Sequence, residues 1–371
     1  MFNTLNIIIY LAISYIFIAP ILIIVEKNKI IQLPSNRVAT IDGLRGYLAL
    51  GVLTHHFVVT YYWYRTGIWQ SPTENFLNNI GQASVVLFFM ITGYLFSRKI
   101  KNHNFEIRKF FIKRFFRLMP LLFFIVIVMV CIVFIKQEFA LYSKPNEIFK
   151  QTIGWLFFIQ PNINHLMHTK YIVAGVTWTL RYETIFYLIL PILYFVKNIK
   201  ILFILTLLVI FFGIITKNIS SFFLLFVIGY IISEIENRYK NKFNFNNNVV
   251  SFINIFIIIF ALFYFNTSYS ILSFILLGIF FSLLVLGNTL FGILSNKFSI
   301  FLGEISYSIY LIHGIILYIL FNLLLKHEPN LYHLPIVITV VIFLSLITFK
   351  YIEKPFNEFG YSIAKHIKGA S

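Results

Sequence analysis

RVATIDGLRGYLALGVLTHHF, residues 37–57, begins like an ordinary membrane helix and then places Asp42, Arg45, His55 and His56 where hydrocarbon disfavours them. At 100° per residue, positions 45 and 56 are separated by close to three whole turns. Both side chains therefore fall on one stripe of the helix, about 16 Å apart along its axis. Arg45 stays near one interface while His56 reaches mid-membrane. A buried histidine has a plain structural explanation, a hydrogen bond to a neighbouring helix. His55, about 100° round the helix, is assigned that role, whereas spacing alone leaves His56 open to either a structural or a chemical one.

The rest of the chain sets the solvent. Of its 371 residues 59% are hydrophobic and 12% charged, a balance with which a soluble globule cannot keep its surface wet. A bilayer core of about 30 Å takes roughly 20 apolar residues per crossing. Such runs occur near 5–25, 44–64, 78–97, 113–135, 177–197, 199–216, 218–234, 248–266, 269–289, 299–325 and 334–352. The expected fold is all-α, a polytopic helix bundle in one piece, with a loop from 136 to 176 and a short tail after 353.

Charge orients the bundle. No Lys or Arg precedes the first apolar run, which is also too long for a signal-peptide core, so it is expected to remain attached. Lys27 and Lys29 follow it, which predicts an outside N-terminus and a second span that starts in the cytoplasm. Carrying the alternation through the chain puts most of the 30 Lys and Arg on the cytoplasmic side, eight of them between 97 and 117. The net charge of +17 thus reads as membrane topology; no motif of a nucleic-acid-binding protein accompanies it. The one cysteine, Cys131, excludes a disulfide within the chain and is expected to pack inside an apolar helix. No fixed-period repeat and no phosphate-cradling Walker loop is present, which argues against a primary pump.

Three further clusters carry chemistry. In KRFFRLMP, Arg114 and Arg117 share a helical face at the cytoplasmic start of a span. They are either positive-inside anchors or, beside Arg45, an anion site suited to phosphate groups. TWTLRYETIFYLILP, 177–191, brings Trp178, Arg181, Tyr182 and Glu183 in from the outside; the aromatic residues fit an interfacial belt, but Glu183 lies deep enough to need a partner or water. A convergence of His56 with Glu183 is expected, since a carboxylate orients a general base. In GEISYSIYLIHG, 303–314, Ser306, Tyr310 and His313 recur at i, i+4 and i+7 as one polar stripe, which serves interhelical hydrogen bonding or substrate contact. His165 and His168 in HLMH have a spacing a metal accepts, but no carboxylate accompanies them, and no metal site is expected.

Taken in order, Arg45 followed by ten residues and then His56, FFMITGYLFS at 88–97, Arg114-x-x-Arg117, WTLRYE at 178–183, SYSIYLIH at 306–313 and IEKPF at 352–356 resemble the acyltransferase-3 family of integral membrane O-acyltransferases with ten helices. The resemblance runs from about 38 to 356. It implies an acyltransferase-3-like membrane domain over 38–356, preceded by an extra transmembrane helix and cytoplasmic linker over 1–37 and followed by a cytoplasmic tail over 357–371. The activity implied is transfer of an acyl group, usually acetyl, from cytoplasmic acyl-coenzyme A to a sugar hydroxyl of a cell-surface polysaccharide or its lipid-linked precursor, O-antigen among them. Coenzyme A would come and go as a substrate, with no permanently bound cofactor. By the same resemblance His56 is the catalytic base or transient acyl carrier, Arg45 its companion, Arg114 and Arg117 the coenzyme ligands, and Glu183 part of the active-site cavity. Asp42, Trp178, Tyr182, Ser306, Tyr310 and His313 are expected to line that cavity.

The chain departs from the family where Thr179 and Thr184 replace the usual serine and second glutamate, so a second carboxylate is unavailable beside Glu183. Two other classes compete with the enzyme: a transporter of polyprenyl-linked glycans, which would also need polar groups in its bundle, and a non-catalytic scaffold of a polysaccharide assembly complex. The transporter gives a coenzyme site no use, and the scaffold tolerates loss of His56. The expected location is a bacterial inner membrane, crossed many times.

Overall fold

The computed structural model describes residues 3–27, 38–101, 105–196, 221–240 and 242–367, all helix, turn and loop with no strand among them. Five helical stretches are long and apolar enough to cross a membrane: Thr4–Ile21, Asn75–Ile100, Ile107–Lys136, Ser306–Leu324 and His333–His366. The protein is a multi-pass membrane protein. The expected span at 199–216 lies outside the described residues, so the ten-plus-one count stays an expectation.

The helices are α1 (Thr4–Lys27), α2 (Ala39–Thr66), α3 (Asn75–Lys101), α4 (Ile107–Lys136), α5 (Pro145–Leu156), α6 (Thr177–Val196), α7 (Ser221–Tyr239), α8 (Asn248–Tyr264), α9 (Ile271–Val285), α10 (Lys297–Glu304), α11 (Ser306–Tyr318), α12 (His333–Thr348) and α13 (Lys354–His366). Local chemistry sets several of their ends. The side chains of Asn247, Ser270 and Asn296 accept from backbone N–H groups at the starts of α8, α9 and α10, satisfying donors a helix start leaves open. Gly67 closes α2 with φ of 72° and its N–H on the Trp63 carbonyl, a left-handed cap that glycine adopts without strain.

Helices α2, α3 and α11 form the centre. Every residue of α11 is buried, and α3 packs most extensively against α7 and α2. Gly93 permits the first of these crossings: a methyl group there would collide with the Phe226 backbone carbonyl of α7. This is the structural use of the glycine in FFMITGYLFS. Helix α1 stands at the periphery against α12, with Ile7 and Ile18 buried.

Three expectations are refined. The apolar run 299–325 is two helices that meet at Ile305, with α11 continued by a π-helical turn over Ile319–Leu324; the Ser306 hydroxyl bonds the Gly303 carbonyl across the joint at 2.7 Å. The tail is helix α13, which packs on α4; its Gly360 sits on the Phe116 ring and its Tyr361 ring faces the Lys113 ammonium at 4.6 Å. Cys131 is exposed on α4 rather than packed, a position that suits the lipid-facing side of a spanning helix.

Candidate active site

Two groups of residues occupy successive depths of the bundle. The first surrounds a cavity of about 480 Å³ among α2, α3, α4, α6 and α11. It gathers Asp42 and Arg45 from α2, Arg114 and Arg117 from α4, and Glu183 from α6, residues far apart in the chain. Asp42 and Arg45 are one helical turn apart and 3.5 Å from each other, so the carboxylate fixes the direction of the guanidinium. Arg114 lies over the Phe96 ring at 4.5 Å and over the Tyr187 ring at 5.8 Å, a cation–π cradle. The Tyr187 hydroxyl donates to Glu183. Ser306, Tyr307 and Tyr310 complete one wall from α11. Tyr307 donates to the Leu118 carbonyl at 2.8 Å, which ties that wall to the α4 turn bearing Arg114 and Arg117.

The second group lies one turn further along α11. His313 Nδ1 is 3.1 Å from the Ile309 carbonyl, and its Nε2 is 3.1 Å from His56 Nδ1. A carbonyl only accepts, so His313 Nδ1 carries the proton and its neutral ring presents a lone pair at Nε2. His56 Nδ1 must then be the donor, and His56 Nε2 is left with an available lone pair. A base oriented through its other nitrogen is the arrangement that general-base chemistry requires. His56 is therefore aimed by a histidine and not by a carboxylate. Glu183 instead lines the cavity with Tyr187 as its partner.

The remaining expectations divide. His55 donates from Nδ1 to the Leu77 carbonyl at 3.0 Å and packs on Gly81, which is the structural role assigned to it. Trp178 and Tyr182 do not line the cavity; they pack edge-on to each other and against Phe89 and Phe222, where α3, α6 and α7 meet. Neither His56 nor His313 is part of the cavity lining. The link is Tyr310, which faces the cavity, has its ring centroid 6.2 Å from that of His313 and shares a 2.7 Å hydrogen bond with Thr179. Thr179 thus keeps the hydroxyl that the family's serine would supply. Among the described residues no three potential metal ligands gather.

On the far side of His56 an aromatic group closes the bundle. Trp69 lies 6.2 Å from the His56 ring and stacks on Tyr171 at 4.4 Å; Tyr171 also stacks on His168, and Trp63 packs between Tyr171 and Tyr318. These rings turn inward on one another, unlike an interfacial belt that faces lipid. Gly314 lets the 169–173 turn approach, since a methyl group there would strike the Val173 backbone.

The acyltransferase domain family matches residues 38–350, from the residue before α2 to the π-helical turn after α12, and so takes in every polar group just described. The chain belongs to that family. Curated relatives are distant. Peptidoglycan O-acetyltransferase OatA of Listeria monocytogenes is 28% identical over 175 residues, 44% of this chain and 25% of that protein. O-acetyltransferase OatA of Staphylococcus aureus is 24% identical over 364 residues, 86% of this chain and 57% of that protein. The chain thus spans a quarter and just over half the length of these two relatives. No solved structure matches. Sequence reasoning missed Arg98 and Lys99, within the matched domain, and Tyr361, beyond its end, on the cavity wall. The two cations were submerged in a basic run that topology alone explains, and Tyr361 lay in a segment read as a tail.

Proposed function

We propose that the chain is an O-acetyltransferase that carries acetyl from acyl-coenzyme A to a sugar hydroxyl of a cell-envelope glycan, with His56 as general base. The observation that carries this reading is the hydrogen bond between His56 and His313, because it fixes the His56 ring with its Nε2 lone pair in mid-bundle between a cationic cavity and an aromatic wall. The cavity end faces the cytoplasm in this reading, in line with the positive-inside rule. Arg45, Arg114 and Arg117 receive the donor's phosphates there, and the thioester arm points along the Tyr310 wall toward His56. The sugar approaches from the Trp69 side. His56 Nε2 takes the proton of the hydroxyl, whose oxygen attacks the thioester carbonyl carbon. The C–S bond then breaks, the acetyl ester forms, and the proton passes from His56 to the departing coenzyme A thiolate.

The named activity of the two relatives supports acetyl as the group and, through the Listeria protein, peptidoglycan as the first acceptor to test. The experiment compares cells expressing the protein with cells carrying empty vector and measures base-labile acetate released from purified cell envelopes. The reading expects a gain in acetate that follows expression and carries label from [1-14C]acetyl-coenzyme A in membrane preparations. Incorporation with no dependence on the labelled donor would remove the coenzyme step. No gain in acetate would leave a glycan transporter as the better account.

A further inference from the structure

We propose that Arg98, with Lys99 beside it at the cavity mouth, forms a separate subsite for a terminal phosphate monoester, the 3′-phosphate of coenzyme A, and that Glu236 and Tyr94 position Arg98 for it. The inference deepens the acyl-coenzyme A reading above and rests on it. Both cations line the cavity, yet they belong to the end of α3 and not to the Arg114-x-x-Arg117 face of α4.

The geometry around Arg98 is a built support. The guanidinium donates to the Tyr94 hydroxyl at 2.9 Å, and Tyr94 donates in turn to Glu236 Oε2 at 2.7 Å. Glu236 is a carboxylate with 5% of its side chain exposed; it lies 3.9 Å from Arg98 and 2.7 Å from Lys240. One buried carboxylate thus faces two cations, Arg98 on the cavity wall and Lys240 behind it, and does not neutralise both. The arginine side chain is 46% exposed, and Tyr94 occupies one of the five N–H donors of its rigid fork. An edge of that fork is presented outward, the form in which arginine takes a phosphate with two hydrogen bonds.

The order of charges matches the ligand. Coenzyme A carries an uncharged pantetheine arm next to the thioester, then a diphosphate, then the ribose 3′-phosphate. The cavity places Arg45, 17% exposed, and the half-buried Arg114 and Arg117 inside, with Arg98 outermost. The inner arginines therefore suit the diphosphate, and Arg98 is left for the last phosphate. A phosphate monoester of a lipid headgroup has the same chemistry and would reach the same mouth from the bilayer, so the test separates the two sources.

The test is equilibrium binding of coenzyme A and of 3′-dephospho-coenzyme A to the full chain in phosphatidylcholine nanodiscs, which needs no knowledge of the acceptor. The wild type is expected to bind coenzyme A about tenfold more tightly than the dephospho form. Arg98→Gln should weaken coenzyme A about tenfold, leave the dephospho form unmoved and bring the ratio near one, while Arg98→Lys keeps part of the discrimination. Tyr94→Phe and Glu236→Gln should lower the ratio by a smaller factor, about threefold, because they act through Arg98. A ratio that stays near ten in Arg98→Gln overturns the proposal, as does a wild type without discrimination. Loss of discrimination when phosphatidic acid is added to the nanodiscs assigns the subsite to a lipid phosphate and also overturns it. A wild type that binds neither nucleotide refutes the acyl-coenzyme A reading itself.

Discussion

Replacing His313 by Phe keeps a ring of similar volume and removes the acceptor on which His56 Nδ1 is fixed. In the native arrangement that donor meets His313 Nε2 at 3.1 Å, and His313 is itself held on the Ile309 carbonyl at 3.1 Å. His313 is wholly buried, so water cannot replace it freely. A buried polar group deprived of its partner costs about 1–3 kcal/mol, and His56 recovers part of that by turning to other acceptors, which moves Nε2 out of line or populates the wrong tautomer. Taken into the barrier, this amounts to a fall of about ten- to hundredfold in the rate of acetyl transfer. The assay is initial-rate transfer from labelled acetyl-coenzyme A in membranes with protein levels matched, alongside binding of coenzyme A. His313→Phe should lose rate and keep nucleotide affinity, because neither histidine lines the cavity. His313→Gln, whose amide oxygen can accept from His56, should recover at least part of the rate. A wild-type rate in His313→Phe would refute the orienting role, and a matched loss of rate and nucleotide binding would show a general packing defect instead.

Other consequences follow from the same geometry. Arg114→Gln removes the cation held over Phe96 and Tyr187 and should weaken coenzyme A about ten- to thirtyfold, measured by equilibrium binding, with the loss shrinking as salt is raised. Gly93→Val drives a side chain into the Phe226 backbone and should lower the thermal unfolding temperature in detergent by several degrees, or abolish accumulation of folded protein. Trp69→Ala opens the wall beside His56; acetate delivered to envelopes should fall at least fivefold while coenzyme A affinity stays within twofold, measured on the same membranes.

Helix existence and the order of the motifs could be read from the sequence because membrane crossing demands long apolar runs. Arg45, Arg114 and Arg117 reach one cavity as their common depth implied, and Glu183, whose depth matched it to His56, lines that cavity with them. Rotation between helices was not legible. Depth alone matched His56 with Glu183, whereas the partner that faces it is His313, on a helix buried on every side. The same blindness put Trp178 and Tyr182 in the cavity, although their rings point into the α3, α6 and α7 packing. The run 299–325 hides its joint at Ile305 because both halves are apolar. Helix α13 was read as a tail because its apolar side chains alternate with charged ones, a pattern that lies along a surface and gives no long hydrophobic run. Glu353 of the IEKPF motif proves to be buried, with the Ser308 hydroxyl on its carboxylate at 3.1 Å, a pairing between helices that neither motif discloses by itself.

The central claim is that His56, and not the adjacent His55, performs the chemistry. The most direct measurement is labelled acetyl transfer by wild type, His56→Ala and His55→Phe in membranes, normalised to folded protein. Transfer per molecule should fall by at least a thousandfold in His56→Ala, the scale set by removal of a general base together with its orientation, and stay within a few fold of wild type in His55→Phe, whose lost bond to the Leu77 carbonyl affects stability. Equal transfer by wild type and His56→Ala would contradict the account.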